Sequence, residues 1–133
     1  MDANVLIAAL IRDSTTRRLL VLGGHELHAP EYVFEEIADH WPELAPRSGL
    51  APDALREVLE VLRGHVREHP VAEYEGNLDA AIRLLKERDP DDAPYIALVL
   101  TLRADALWSE DRRLSPVEGV RVVRTRELAS TTP

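Results

Sequence analysis

The sequence predicts an α/β fold, a three-layer α/β/α sandwich with helices on both faces of a central parallel sheet. Three observations lead to it. Segments with apolar residues at helical spacing alternate along the chain with short apolar runs of strand length. No repeat of 20–50 residues and no linker-like stretch divides the chain. With 133 residues, 45% of them hydrophobic, there is enough apolar side chain for one core, so residues 1–133 are expected to form a single domain.

Taken in order, Val5 to Leu10 and Arg17 to Leu22 read as apolar helix faces, the second closed by Gly23 and Gly24. His25 to Ala29 reads as a short strand. Pro30 opens a helix with Val33, Phe34, Ile37 and Ala38 at helical spacing, expected to fade near Trp41 and Pro42. Leu44 to Leu50 is expected to be a connection. Pro52 then starts a helix with Leu55, Val58, Leu59 and Leu62 on one face, ended by Gly64. His65 to Val71 suits a strand, and Leu78, Ala81, Ile82 and Leu85 mark an amphipathic helix. After the acidic turn Asp89, Pro90, Asp91, Asp92, Pro94 sits in the first turn of a helix whose apolar run, Tyr95 to Leu102, is nearly continuous and therefore buried. Ala106 to Ser109 and Val120 to Arg124 read as the last strands, with a loop between them. Arg126 to Ala129 reads as a terminal helix, with Ser130 to Pro133 frayed.

Composition narrows the chemistry. There is no cysteine, so a metal would be held by oxygen or imidazole, oxygen being favoured. The longest apolar stretch, Val5 to Ile11, is far too short to span a bilayer, and only Met1 to Asn4, none of them basic, stand ahead of it where a secretory signal needs a basic segment. A cytoplasmic location with no membrane partner is the expectation. The net charge of −8 weighs against nucleic acid as a partner, yet all the basic residues except Lys86 are arginine, the side chain suited to bidentate phosphate contacts. Arg12, Arg112 and Arg113 lie nearest in sequence to the acidic residues described next, although solvated arginine is the simpler account of each.

In an open parallel sheet, ligands sit beyond the carboxyl ends of the strands. Four acids fall where such a fold could gather them: Asp2 ahead of the first helix, Glu36 within the third, Asp92 at the start of the buried helix, and Asp111 after a strand. Singly, each has an ordinary explanation. Asp92 is as good an N-cap as a ligand, Asp111 suits a turn, and Glu36 with Glu35 suits a solvated face. Together they have a physical consequence, because several carboxylates at close quarters raise one another's pKa unless a cation compensates. Mg²⁺ or Mn²⁺, which prefer oxygen and retain water, would do so and would suit chemistry on phosphodiesters.

Four segments, Asp2 to Leu10 (DANVLIAAL), Pro30 to Ile37 (PEYVFEEI), Asp89 to Leu100 (DPDDAPYIALVL) and Ala104 to Leu114 (ADALWSEDRRL), resemble in order the motifs of PIN-domain proteins. The resemblance covers nearly the whole chain, and its last two segments together are the specific part. It implies a PIN-like α/β/α fold and a Mg²⁺- or Mn²⁺-dependent endoribonuclease, a hydrolase often found as the toxin of a toxin–antitoxin pair. It further implies that Asp2, Glu36, Asp92 and Asp111 are the catalytic, metal-binding acids, with Ser109 as the small hydroxyl residue two positions before the last. Asn4 follows the first acid as in many members, and Asp89 is an additional acid whose role as ligand, supporting partner or cap is open. RNA, an antitoxin protein and a second copy of the chain are the partners implied. In that family a short apolar strand leads into the first acid. Here only Met1 precedes Asp2, so the first strand is expected to be shortened or missing, leaving an edge open to strand exchange or dimerisation.

Two other readings differ in kind. A non-catalytic PIN-like module binding RNA or protein would keep the fold and tolerate changes at Asp92 and Asp111. A phosphatase using an amino-terminal Asp nucleophile is disfavoured, because position 4 is Asn rather than a second Asp and no glycine-rich phosphate loop is present. His25 and His28, and likewise His65 and His69, lack a recognisable third ligand and read as surface histidines.

Overall fold

The computed structural model describes residues 1–11, 14–86, 88–111, 114 and 117–131. Two helices, α1 (Ala3–Ile11) and α2 (Ser14–Leu22), lead into strand β1 (Leu27–Pro30). Helices α3 (Tyr32–Ser48) and α4 (Pro52–Arg63) separate β1 from β2 (Val66–His69). A single turn α5 (Val71–Tyr74), helix α6 (Leu78–Leu85) and the buried α7 (Ala93–Leu102) precede β3 (Leu107–Trp108), β4 (Val122–Val123) and α8 (Thr125–Thr131). The order is α/β, as expected, with helix predominating and very short strands.

All strand pairing in these elements is parallel. β1 pairs with β2, placing Leu27 opposite Val66 and Pro30 opposite His69, and β3 pairs with β4, placing Trp108 opposite Val123. The strands therefore form two two-stranded sheets rather than one continuous sheet. Met1 and Asp2 stand between them. The α-amino group of Met1 donates to the carbonyl of His28 on β1 (2.8 Å), whereas the next N–H, that of Asp2, donates to the carbonyl of Trp108 on β3 (3.1 Å). Successive donors aimed at opposite neighbours are what an extended segment between two strands provides. Behind Met1 the gap between Leu27 and Leu107 is a cavity of about 70 Å³ floored by Leu98 and Leu102 of α7.

The core runs through every layer of this arrangement. Val5, Leu6, Leu10, Val33, Ile37, Leu55, Leu62, Leu85, Ile96 and Leu107 are essentially solvent-free. β1 is contacted by α3 and by α7, α1 lies against α2, α3 and α4, and α5 and α6 pack on α7. The near-continuous apolar run of α7 is explained by burial of Tyr95, Ile96, Ala97, Leu98 and Val99 in succession. Arg17 closes the first helix: its Nε donates to the Ala9 carbonyl at 2.9 Å, satisfying an acceptor that the last turn of α1 leaves open.

Several boundaries differ from those expected. The third helix continues through Pro42 and Pro46 to Ser48, where the sequence suggested fading near Trp41 and a connection from Leu44. Proline removes a donor and disfavours the preceding turn, but Leu44 is buried against the core, and Gly49, at φ 74°, provides the left-handed stop seven residues later than expected. Val71 begins α5 rather than ending β2, because Pro70 cannot donate to a ladder. Val120 pairs in an antiparallel bridge with Val117 rather than opening β4, and Ser130 and Thr131 remain helical instead of frayed.

Candidate functional site

The acids predicted to act together come from four places at one end of the strands. Asp2 follows directly on the Met1 segment and starts α1. Its Oδ1 accepts from the N–H of Val5 (3.3 Å), so it caps that helix, and its Oδ2 accepts a short hydrogen bond from the Ser109 hydroxyl. The side chain is almost wholly buried, and burial pushes its pKa up, opposed first by the bond from Ser109. Ser109, just beyond β3, is itself solvent-free. Its hydroxyl also accepts from the N–H of Asp111 (3.1 Å), so one oxygen ties the first acid to the loop bearing the last.

Glu36 projects from α3 and accepts from the Tyr95 hydroxyl at 2.8 Å. Half-burial raises its pKa, the hydrogen bonds from Tyr95 and Tyr32 oppose that, and the charges of Asp2 and Asp91 add to it. Tyr32 is pushed up to about 12, mainly by burial and by the charge of Glu36, so both phenols remain protonated donors to this carboxylate.

Asp92 closes the single 3₁₀ turn Pro90–Asp92 and stands at the N-cap position of α7, yet its side chain makes no capping bond. Asp89 is the residue that caps here: its Oδ1 accepts from the N–H of Asp91 at 2.9 Å, which identifies the additional acid as a turn-forming one. The Asp92 pKa is pushed up to about 6, first by burial and then by the negative charges of Asp89, Asp111, Asp2 and Glu36. Asp92 thus lies within the field of the other three acids singled out in the sequence. Asn4 is different. It is exposed on α1.

Arg124, at the end of β4, supports the same corner. It donates to the carbonyls of Ser109 (2.9 Å) and Leu114 (2.6 Å), holding the loop that carries Asp111. Glu110 turns the other way and accepts from the N–H of Thr125 (2.5 Å) at the start of α8. Tyr32, Tyr95, Asp91 and Arg124 were not anticipated. Tyr95 lies three residues after Asp92 and so on the same helix face, a signal hidden by the apolar run around it. Arg12, Arg112 and Arg113, considered for phosphate contacts, lie outside the described residues.

The donor set suits a hard divalent cation: its atoms are carboxylate oxygens, Asp92 carries no cap bond, and the charges that raise its pKa are those a cation would offset. Among the described residues no group of three or more His, Asp or Glu side chains is positioned to hold a metal ion by itself. That is compatible with Mg²⁺, which commonly takes one or two carboxylates directly and fills its remaining positions with water. Among the described residues no helix is long and apolar enough to cross a membrane.

No curated protein matches the chain. The sequence model of the PIN domain matches residues 1–132, from the Met1 segment that joins the two sheets to the end of the terminal helix, and encloses every acid described above. The chain belongs to the PIN domain family.

Proposed function

We propose that this chain is a metal-dependent endoribonuclease that hydrolyses RNA phosphodiester bonds with Mg²⁺ or Mn²⁺ held by Asp2, Glu36, Asp92 and Asp111. PIN domains are typically nucleases and usually employ divalent ions. The observation that carries the reading is Asp92: a half-buried carboxylate that makes no capping bond and is pushed up to about 6, first by burial and then by the charges of Asp89, Asp111, Asp2 and Glu36. A bound divalent ion would activate water and offset charge building on the phosphate. The chain's own groups hold that arrangement. Ser109 orients Asp2 and the Asp111 backbone, Tyr95 and Tyr32 fix Glu36, and Arg124 anchors the loop after β3. The family habit supports RNA as substrate, a toxin role with an antitoxin partner, a homodimer and a cytoplasmic setting as parts of the same proposal. The bridging bonds of Met1 and Asp2 support the three-layer, single-domain reading, with both strand pairs belonging to one sheet.

A non-catalytic PIN-like module binding RNA or protein is the second reading. It is favoured by the lack, among the described residues, of three converging ligands. The deciding experiment is cleavage of end-labelled single-stranded RNA with Mn²⁺, with EDTA, and with Asp92→Asn. Cleavage abolished by EDTA and by the substitution supports the enzyme, whereas RNA retention without cleavage in any metal supports the module.

A further inference from the structure

Four further side chains form an unbroken chain across β1 and β2. Glu26 Oε1 lies 3.0 Å from His28 Nε2, His28 Nδ1 lies 2.9 Å from His69 Nε2, and His69 Nδ1 lies 2.5 Å from Glu73 Oε2. The rings are 5.1 Å apart and tilted by 35°, and both are mostly buried, with 20% and 12% of their side-chain surface exposed. The parallel register that sets Pro30 opposite His69 brings them together. They are therefore not the surface histidines that the sequence suggested.

Both end groups are carboxylates, which accept, so each ring presents N–H outward to its carboxylate. The inner nitrogens, His28 Nδ1 and His69 Nε2, then face each other at 2.9 Å. A metal-ligating histidine characteristically donates its other N–H to a carboxylate, which fixes the tautomer and raises the basicity of the ligating nitrogen. Here both rings are held that way at once. Two nitrogens bound at the usual Zn–N length and tetrahedral angle lie about 3.3 Å apart, so the rings would hold an ion after opening by a few tenths of an ångström and turning both inner nitrogens toward one point. Arg67 lies 3.6 Å from the same Glu26 oxygen and competes for it, which makes the Glu73 side the firmer support.

We infer that His28 and His69 form a binding site for a borderline transition-metal ion such as Zn²⁺, separate from the acidic site, with Glu26 and Glu73 orienting the rings and water completing the coordination. No third side chain joins the two nitrogens among the described residues, so the site is an open one. Binding is insensitive to Mg²⁺, which prefers oxygen. The site is independent of whether the acids cleave RNA.

The test is calorimetric titration of untagged protein with Zn²⁺ in excess Mg²⁺, on an Asp92→Asn background that disables the acidic site. Cu²⁺ electron paramagnetic resonance on the same samples reports nitrogen ligation. One Zn²⁺ per chain is expected, with two-imidazole hyperfine structure in the Cu²⁺ spectrum. His69→Gln should abolish both, and Glu73→Gln, which keeps both ligands, should weaken Zn²⁺ binding about tenfold. Absence of binding, or binding unchanged in both His69→Gln and His28→Gln, overturns the site and leaves the chain of hydrogen bonds as a structural link between β1 and β2.

Discussion

Replacing Asp92 by Asn should stabilise the metal-free protein while removing its metal response. The folded-state pKa of Asp92, about 6, lies above the 3.8 of an unperturbed aspartate, so the native state holds the proton more tightly than the unfolded chain does. The stability that protonation confers is fully present below pH 4 and is lost as the pH rises through 6. A displacement of this size corresponds to at most about 3 kcal/mol between the two protonation states. Asp92 is only half-buried, and solvent screening reduces this to roughly 1–2 kcal/mol. For a chain of this length that is about 5 °C in Tm. Thermal unfolding with EDTA should therefore show Asp92→Asn more stable than the parent at pH 7.5 and equal to it near pH 4. Mn²⁺ should raise the parent's Tm at pH 7.5 and leave the variant unchanged. An Asn variant equal to or less stable than the parent at pH 7.5 would refute the claim that the acids repel one another there.

Other substitutions probe the supports of the site. Ser109→Ala removes the buried hydroxyl shared by Asp2 and the Asp111 N–H, and urea unfolding should report a loss of about 1–3 kcal/mol, whereas a loss under about 0.5 would mean that water replaces it. Tyr95→Phe removes the 2.8 Å bond to Glu36 and should cost about 1–2 kcal/mol at pH 7.5, with the deficit shrinking in acid as Glu36 is protonated; a pH-independent deficit would indicate a packing effect instead. Arg124→Ala frees the carbonyls of Ser109 and Leu114 and should speed amide hydrogen exchange at residues 109–111 more than in α7, so uniform acceleration would contradict a local anchoring role.

Much of this arrangement was legible in the chain, and what was not has identifiable physical causes. The turn at Asp89 to Asp92 and the buried helix behind it are local features, and the acid at the helix start could be found from them. What local pattern cannot decide is whether such an acid caps its helix. Asp92 does not, because the preceding 3₁₀ turn is capped by Asp89 instead. Tyr95 was concealed by an apolar run that reads equally well as pure core. The persistence of α3 through Pro42 depends on Leu44 reaching the core, a tertiary effect that outweighs the local cost of proline. The place of Met1 and Asp2 between β1 and β3 rests on two hydrogen bonds to distant strands, and the pairing of His28 with His69 on a parallel register across 41 positions. Neither leaves a trace in local periodicity.

Whether Asp2, Glu36, Asp92 and Asp111 hold one divalent ion together can be read from paramagnetic broadening by Mn²⁺. In ¹H–¹⁵N spectra of the protein titrated with substoichiometric Mn²⁺, amide signals around residues 2, 36, 92 and 111 should be lost selectively, restored by excess Mg²⁺ and unaffected in Asp92→Asn. Broadening centred elsewhere on the chain, or the same pattern surviving in Asp92→Asn, would contradict a shared site.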